Sequence, residues 1–332
     1  MVRTLHRAPP PSTPARRPRH DAPETPAVGR AGAEAVRTWS LGKRFGRTEA
    51  LRGVDLIVPR GVVFGYLGPN GAGKSTTIRI ITGLIRPSAG GVAVLGQDVG
   101  QDRDAAQRLI GYLPGDFVAY QELTGEQYLR YLGALRGGVS WALVERLAER
   151  LDLGLRQRIG TLSHGNRQKV GIVQAFMHEP QLLVLDEPTS GLDPIVQREF
   201  LRLVREVRAE GRTVFLSSHV LSEVEAVADV VGILREGRLV VTDTIERLQH
   251  QALRRIDLVF AQPPPGDLLR GVPGVRDVRI DGRTAAVTVA GSTAELLRVA
   301  APRGVENVVT HEADLGEIFL GWYERGGADD AP

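Results

Sequence analysis

The stretch Gly68-Pro69-Asn70-Gly71-Ala72-Gly73-Lys74-Ser75-Thr76 fits the spacing G-x-x-x-x-G-K-[ST], and the chemistry of that spacing is phosphate binding. The glycines let successive backbone N–H groups curl around a phosphate chain, and a helix starting there adds its positive dipole end. Lys74 can reach β- and γ-phosphates, and the Ser75 hydroxyl can ligate Mg²⁺. Lysine occurs elsewhere only at Lys43 and Lys169, in a chain otherwise filled with arginine. A compact ammonium fits inside a phosphate cradle where a planar guanidinium does not.

Five further groups carry reactive or binding side chains. Leu182-Leu183-Val184-Leu185 runs into two adjacent carboxylates, Asp186 and Glu187. A carboxylate pair at the end of a buried strand can hold Mg²⁺ through water (Asp186) and orient and deprotonate an attacking water (Glu187). Leu162-Ser163-His164-Gly165-Asn166 opens a helix and offers a second anion site; taken alone it is a helix cap more often than a phosphate contact. Ser190-Gly191-Leu192-Asp193 follows the carboxylates and by itself is an ordinary turn. His219, in Ser217-Ser218-His219, follows an apolar strand, where a histidine is more often structural. Phe45 can stack on a base, although a lone phenylalanine is more often core.

The elements that must position these residues alternate. Val62 to Leu67 is a short apolar strand before the glycine loop, and Thr76 to Ile85 a helix with Ile78, Ile81 and Ile85 on one face. Strands are expected at 36–41, 50–58, 92–95, 213–216, 230–234 and 239–241, the last entered by a turn at Glu236-Gly237. The continuous apolar run at 182–185 is the pattern of a central parallel strand. Helices are expected over 104–111, 124–155, 196–209 and 221–228, and from just after Thr161-Leu162-Ser163 to about Met177. Strands and helices alternating around a glycine loop imply an α/β fold, a mostly parallel sheet with helices on both faces.

Near residue 250 the texture changes. Strands at 256–260, 275–280, 285–289 and 305–311, a hairpin turn at Asp281-Gly282 and helices over 293–300 and 315–323 read as a small α+β domain. It carries no glycine loop and no cluster of catalytic residue types. Residues 1–33, rich in Pro, Arg and Ala, read as a disordered tail, and 326–332 as a second tail. The division is therefore 1–33, 34–246, 247–325 and 326–332.

Composition narrows the classes. The 332 residues are 42% hydrophobic and 24% charged, with no cysteine, so thiol catalysis and zinc–thiolate sites are excluded. No apolar run is long enough to cross a bilayer, so work at a membrane requires another chain to supply the span. Residues 1–33 carry +4 and the whole chain +3, leaving about −1 for the remainder. A folded body near neutrality argues against a broad phosphate-backbone surface, and no nucleic-acid partner is expected.

The order and spacing of these groups together resemble the ATP-binding subunit of an ABC transporter, over roughly residues 34–246. Gly68 to Thr76 looks like the Walker A motif and Leu182 to Glu187 like Walker B with its catalytic glutamate. Leu162 to Asn166 stands at the family signature and Ser190 to Asp193 at the D-loop. His219 stands at the switch histidine and Phe45 at the A-loop aromatic. The resemblance implies a P-loop ABC-type ATPase domain, with antiparallel and helical subdomains beside the parallel sheet, followed by the small α+β domain. It implies ATP and Mg²⁺ as cofactors, the metal on Ser75 and Asp186, and Glu187 and His219 as catalytic residues. It implies a head-to-tail dimer of identical or paired ATPase chains, each nucleotide lying between one P-loop and the other chain's Ser163, Gly165 and Asn166, with Asp193 nearby.

Two motifs depart from the family pattern. Gly115 stands where a glutamine usually contacts Mg²⁺ and the attacking water, with Asp116 or Gln121 as possible substitutes. His164 and Asn166 replace the usual glycine and glutamine of the signature, while Ser163 and Gly165 are kept, so an active site is expected. The C-terminal Leu315-Gly316-Glu317-Ile318-Phe319-Leu320 resembles bacterial antibiotic and multidrug exporter ATPases. The expected protein powers a separate integral membrane permease from the cytoplasmic face of the cell membrane, as a peripheral subunit. The alternative is a non-transport ABC ATPase acting on ribosomes or nucleic acid. Against that alternative stand the lack of a long coiled-coil insertion and of a second P-loop. The lack of an N-K-x-D motif speaks against a GTPase.

Overall fold

The computed structural model describes residues 33–311 except 252 and 265. The expected N-terminal tail lies almost wholly outside the described residues, and the 315–323 helix and the 326–332 tail lie outside them entirely. The described part opens with β1 (Glu34–Phe45) and β2 (Thr48–Pro59), then β3 (Val63–Leu67) and α1 (Lys74–Ile81). Next come β4 (Ala89–Val94), β5 (Gln97–Asp98), α2 (Arg103–Arg108) and β6 (Ile110–Leu113). A helical stretch follows, with α3 (Gly125–Leu135), α4 (Trp141–Arg150) and α5 (His164–Phe176). Then β7 (Leu182–Asp186), α6 (Pro194–Ala209), β8 (Thr213–Ser218), α7 (Leu221–Glu225), β9 (Val230–Arg235), β10 (Arg238–Thr244) and α8 (Ile245–Gln251) complete the alternation. The last described part holds β11 (Leu253–Phe260), α9 (Gly266–Arg270), β12 (Val275–Asp281), β13 (Thr284–Ala290), α10 (Ala294–Ala300) and β14 (Val305–Thr310).

Among the described residues the strands form three sheets, in the orders β2-β1-β4-β5, β10-β9-β3-β8-β7-β6 and β12-β13-β11-β14. In the six-stranded sheet only the β10–β9 pair is antiparallel; β9, β3, β8, β7 and β6 run parallel. Successive side chains of a strand face opposite ways, so the central strands feed two cores. Val63, Leu183, Leu185, Val214 and Leu216 join one core with residues of α3 to α6. Phe64, Tyr66, Leu182, Val184 and Phe215 join the other with α1 and the antiparallel sheet. Burial on both faces is why these strands read as unbroken apolar runs. The sheet of β11 to β14 has its own core, including Ile256, Leu258, Phe260, Val287 and Leu296.

Several expected elements differ in extent. The 76–85 helix ends at Ile81, capped by Thr82 before Gly83 at φ +70°, so Ile85 lies beyond it, and the 221–228 helix stops at Glu225. The 124–155 stretch is two helices, because Gly137 and Gly138 take φ of +87° and +108° and end the first. The helix expected over 104–111 stops at Arg108, and Ile110 already pairs with Leu182 in the sheet. The first strand continues past Leu41 to Phe45 through register shifts, with Ser40 in a left-handed conformation. Among the described residues no helix is long and apolar enough to cross a membrane.

Candidate functional site

The parallel strands end together. Leu67 lies beside Ser218, and Asp186 beside Ser217, so the loops after β3, β7 and β8 emerge at one carboxyl edge, where open α/β sheets bind ligands. The glycine loop leaves β3 there and turns into α1. Gly73 caps that helix at φ +109°, and a Cβ added to it would lie 2.7 Å from the Ala50 carbonyl oxygen, so only glycine fits. Thr77, one turn in, ties back to Gly73 O at 3.0 Å and meets the Tyr66 hydroxyl at 3.2 Å. Burial of that phenol pushes its pKa up, so it stays a neutral partner.

Lys74 is buried, and its ammonium donates to Gly68 O at 2.6 Å and more weakly to Pro69 O at 3.4 Å. It also lies 3.5 Å from Glu187 Oε1, while the other Glu187 oxygen, Oε2, meets His219 Nδ1 at 2.7 Å. One carboxylate thus spans the lysine of the glycine loop and the histidine after β8. Glu187 occupies φ +48°, an uncommon conformation for a residue with a side chain. Its N–H donates to Ser217 O at 3.1 Å and approaches Ser217 Oγ at 3.3 Å, and its carbonyl accepts from Ser190 N at 3.2 Å. The Ser217 hydroxyl donates to Asp186 Oδ1 at 2.5 Å, fixing the buried carboxylate.

These groups surround an open cavity of about 620 Å³, lined by Asn70, Ser75, Tyr112, Asp186, Glu187 and His219 among others. Gly115 and Asp116 also line it. A Cβ on Gly115 would sit 3.6 Å from Asp186 Oδ2, so the missing glutamine leaves room beside the carboxylate. Of the two proposed substitutes, Asp116 faces the cavity; Gln121 packs its backbone and Cβ against Gly160. Burial, with the Asp186 carboxylate nearby and the Arg79 cation opposing, pushes the Tyr112 phenol up to about 12.

The residues expected to act across a dimer lie apart from this cavity. Ser163 caps α5, its oxygen accepting from Asn166 N at 3.2 Å. Gly165 and His164 pack against the turn after the carboxylates. A Cβ on Gly165 would lie 2.4 Å from Gly191 O, and one on Gly191 2.4 Å from the His164 ring. Asp193 caps α6, accepting from Ile195 N at 2.9 Å and Val196 N at 3.0 Å, and those bonds hold its carboxyl below the usual range. Phe45 sits at the tip of β1, half exposed, with the Lys43 ammonium 4.9 Å from its ring centre. Residue types alone missed the part of Ser217, which touches both carboxylate positions, although the Ser217-Ser218-His219 run stood next to the histidine that drew attention.

Among known proteins, the ABC transporter family model matches residues 51–190. A bacitracin transport ATP-binding protein of Enterococcus faecalis is 39% identical over 216 residues, covering 64% of this chain and 70% of the relative. A daunorubicin/doxorubicin resistance ATP-binding protein of Streptomyces peucetius is 40% identical over 222 residues, covering 65% and 67%. The solved structure of an ATP-binding subunit of an ABC transporter superposes with a TM-score of 0.61 at 34% identity, covering 65% of this chain and 92% of that one. With a glycine loop, a strand-end carboxylate pair and a histidine converging on one cavity, this chain belongs to the ABC transporter family as an ATP-binding and ATP-hydrolysing subunit.

Proposed function

We propose that this chain drives export of antibiotic-like compounds by hydrolysing ATP on the cytoplasmic face of a bacterial membrane, while a separate integral membrane permease carries the cargo. The observation that carries the catalytic part is the line Lys74–Glu187–His219, two members of which line the cavity. The cargo class rests on the names of the bacitracin and daunorubicin/doxorubicin relatives. Residues 34–246 would form the ATP-binding domain and 247–325 an accessory domain, a division supported by the separate core of β11 to β14.

Lys74 and the backbone N–H groups of Gly68, Asn70, Gly71, Ala72, Gly73, Ser75 and Thr76 hold the phosphate chain, Pro69 shaping the turn between them without a donor of its own, and Phe45 offers a ring for the base. Glu187 takes the proton of the water that attacks the γ-phosphorus. The bond to the β-bridging oxygen breaks, and ADP leaves with that electron pair. His219 holds Glu187 in place through its ring nitrogen and faces the γ-phosphate. Ser75 and Asp186 suit Mg²⁺: both are hard oxygen donors on one cavity, and the space beside them admits the waters that this ion keeps. When bound there, the ion would neutralise charge on the phosphate oxygens. Ser163, Gly165, Asn166 and Asp193 would close the nucleotide of a second ATPase chain in a head-to-tail dimer.

The permease would dock in the second cleft, of about 290 Å³, between the end of α1 and helices α3 and α5, lined by Leu84, Tyr112, Leu132, Leu135 and Arg136. Exposed Tyr131 and Leu135 of α3, with Tyr120 against the Tyr131 ring, favour a partner along that helix. The test is capture of the tagged chain from detergent-solubilised native membranes. A stoichiometric multi-span membrane protein is expected. Ribosomal proteins or nucleic acid without a membrane partner would overturn the transport reading and leave the ATPase standing.

A further inference from the structure

Gln168 lies on the second turn of α5 and is 1% exposed. Its amide nitrogen donates to Pro188 O at 3.2 Å and reaches Glu187 O at 3.5 Å. Its amide oxygen is buried with no hydrogen-bond partner. A buried, unpartnered carbonyl is costly, so packing alone favours an apolar side chain of the same length here. The feature that an apolar chain could not supply is the pair of N–H donors aimed at the backbone just after the left-handed Glu187.

The same segment meets α5 at a second place, where Gly165 and the His164 ring close on Gly191. The first two turns of α5 and residues 187–191 are therefore pinned at both ends. From the other side Ser217 holds the Glu187 N–H. A residue in this region of backbone space keeps its conformation only when its surroundings over-determine it. Ser217 fixes the amide before Glu187, and Gln168 fixes the carbonyls after it.

We propose that Gln168 is a positioning residue for hydrolysis: its amide holds the backbone of Glu187 and Pro188 so that the Glu187 carboxylate stays between Lys74 and His219. This deepens the assignment of Glu187 as the base and rests on it. The helix that carries Gln168 is capped by Ser163 and carries Asn166, so Gln168 is one of the contacts that tie the two halves of the proposed dimeric site.

The test uses the purified full-length chain with Mg·ATP and three variants. Gln168→Met keeps length and removes both the donors and the unpartnered oxygen. It is expected to melt no lower than the parent and to bind ATP within about twofold, while kcat falls on the order of 10- to 100-fold, as for a misplaced catalytic group. Gln168→Glu places a carboxyl against two carbonyl oxygens, where only the protonated form can donate. Burial and those oxygens favour protonation, so its turnover relative to the parent is expected to rise as pH falls from 8 to 6. Parent-like kcat in Gln168→Met, or a flat relative pH profile in Gln168→Glu, overturns the proposal. Should Gln168→Met not fold, the pH profile of Gln168→Glu decides alone. Glu187→Gln, measured alongside, separates the two claims. If it turns over normally, the assignment of Glu187 fails; if it is inactive while Gln168→Met is normal, only the role of Gln168 fails.

Discussion

Glu187 sits between two cationic or potentially cationic groups, 3.5 Å from Lys74 and 2.7 Å from His219, so its side chain is held at both oxygens. Lys74 meanwhile spends its donors on Gly68 O, Pro69 O and that carboxylate. A phosphate chain entering the loop offers the ammonium stronger, charged acceptors. Lys74→Ala is therefore expected to lose ATP binding, measured by calorimetry, while the fold persists; unchanged affinity would remove Lys74 from the phosphate site. The residue types at these positions and their order were legible in the sequence. The left-handed backbone of Glu187 and the grip of Ser217 on Asp186 were not, because both depend on a neighbouring strand about 30 residues away.

Elements explain where the site is rigid. Helix α4 is fastened to α6 by Arg150, which meets Glu199 at 2.6 Å and Glu206 through two nitrogens at 2.5 and 2.8 Å. The group is partly solvent-exposed, so Arg150→Ala is expected to cost about 1 kcal/mol or less in a denaturant titration. At the other end of α5, burial beside the Arg136 cation pushes the His178 imidazole down from 6.5 to about 4, against the carbonyls of Ile110 and Gln174. Below pH 6.5 the unfolded chain takes up a proton there that the folded chain refuses. Stability from this group is complete above pH 6.5 and is lost as pH falls towards 4. His178→Gln should flatten the dependence of melting temperature on pH in that window; an unaltered slope would clear His178 of the effect. Periodicity located most elements because their apolar faces are local patterns. It overran at 124–155, since a helical spacing of leucines continues across Gly137-Gly138, and only the backbone there shows the break.

At the scale of the whole chain, two of the three cores share the parallel sheet and the third is separate. Helix α8 belongs with the first, through Ile245 and Leu248. A chain ended at Gln251 should therefore keep its fold and its ATP affinity, checked by melting and nucleotide titration; loss of both would make the C-terminal sheet part of the ATPase core. The change of texture near residue 250 was visible because the glycine loop, the carboxylates and the histidine all precede it. The pairing order of the strands was not visible, because parallel neighbours such as β3 and β8 lie about 150 residues apart in sequence. On the proposed mechanism Glu187 is the base of an ATP-hydrolysing site formed at the carboxyl edge of that sheet. The most direct measurement is ADP release and ATP affinity of Glu187→Gln in the full-length chain. Unchanged affinity is expected, with turnover lower by about 10²–10⁴, the usual value of a positioned base; turnover within about twofold of the parent would remove Glu187 from that role.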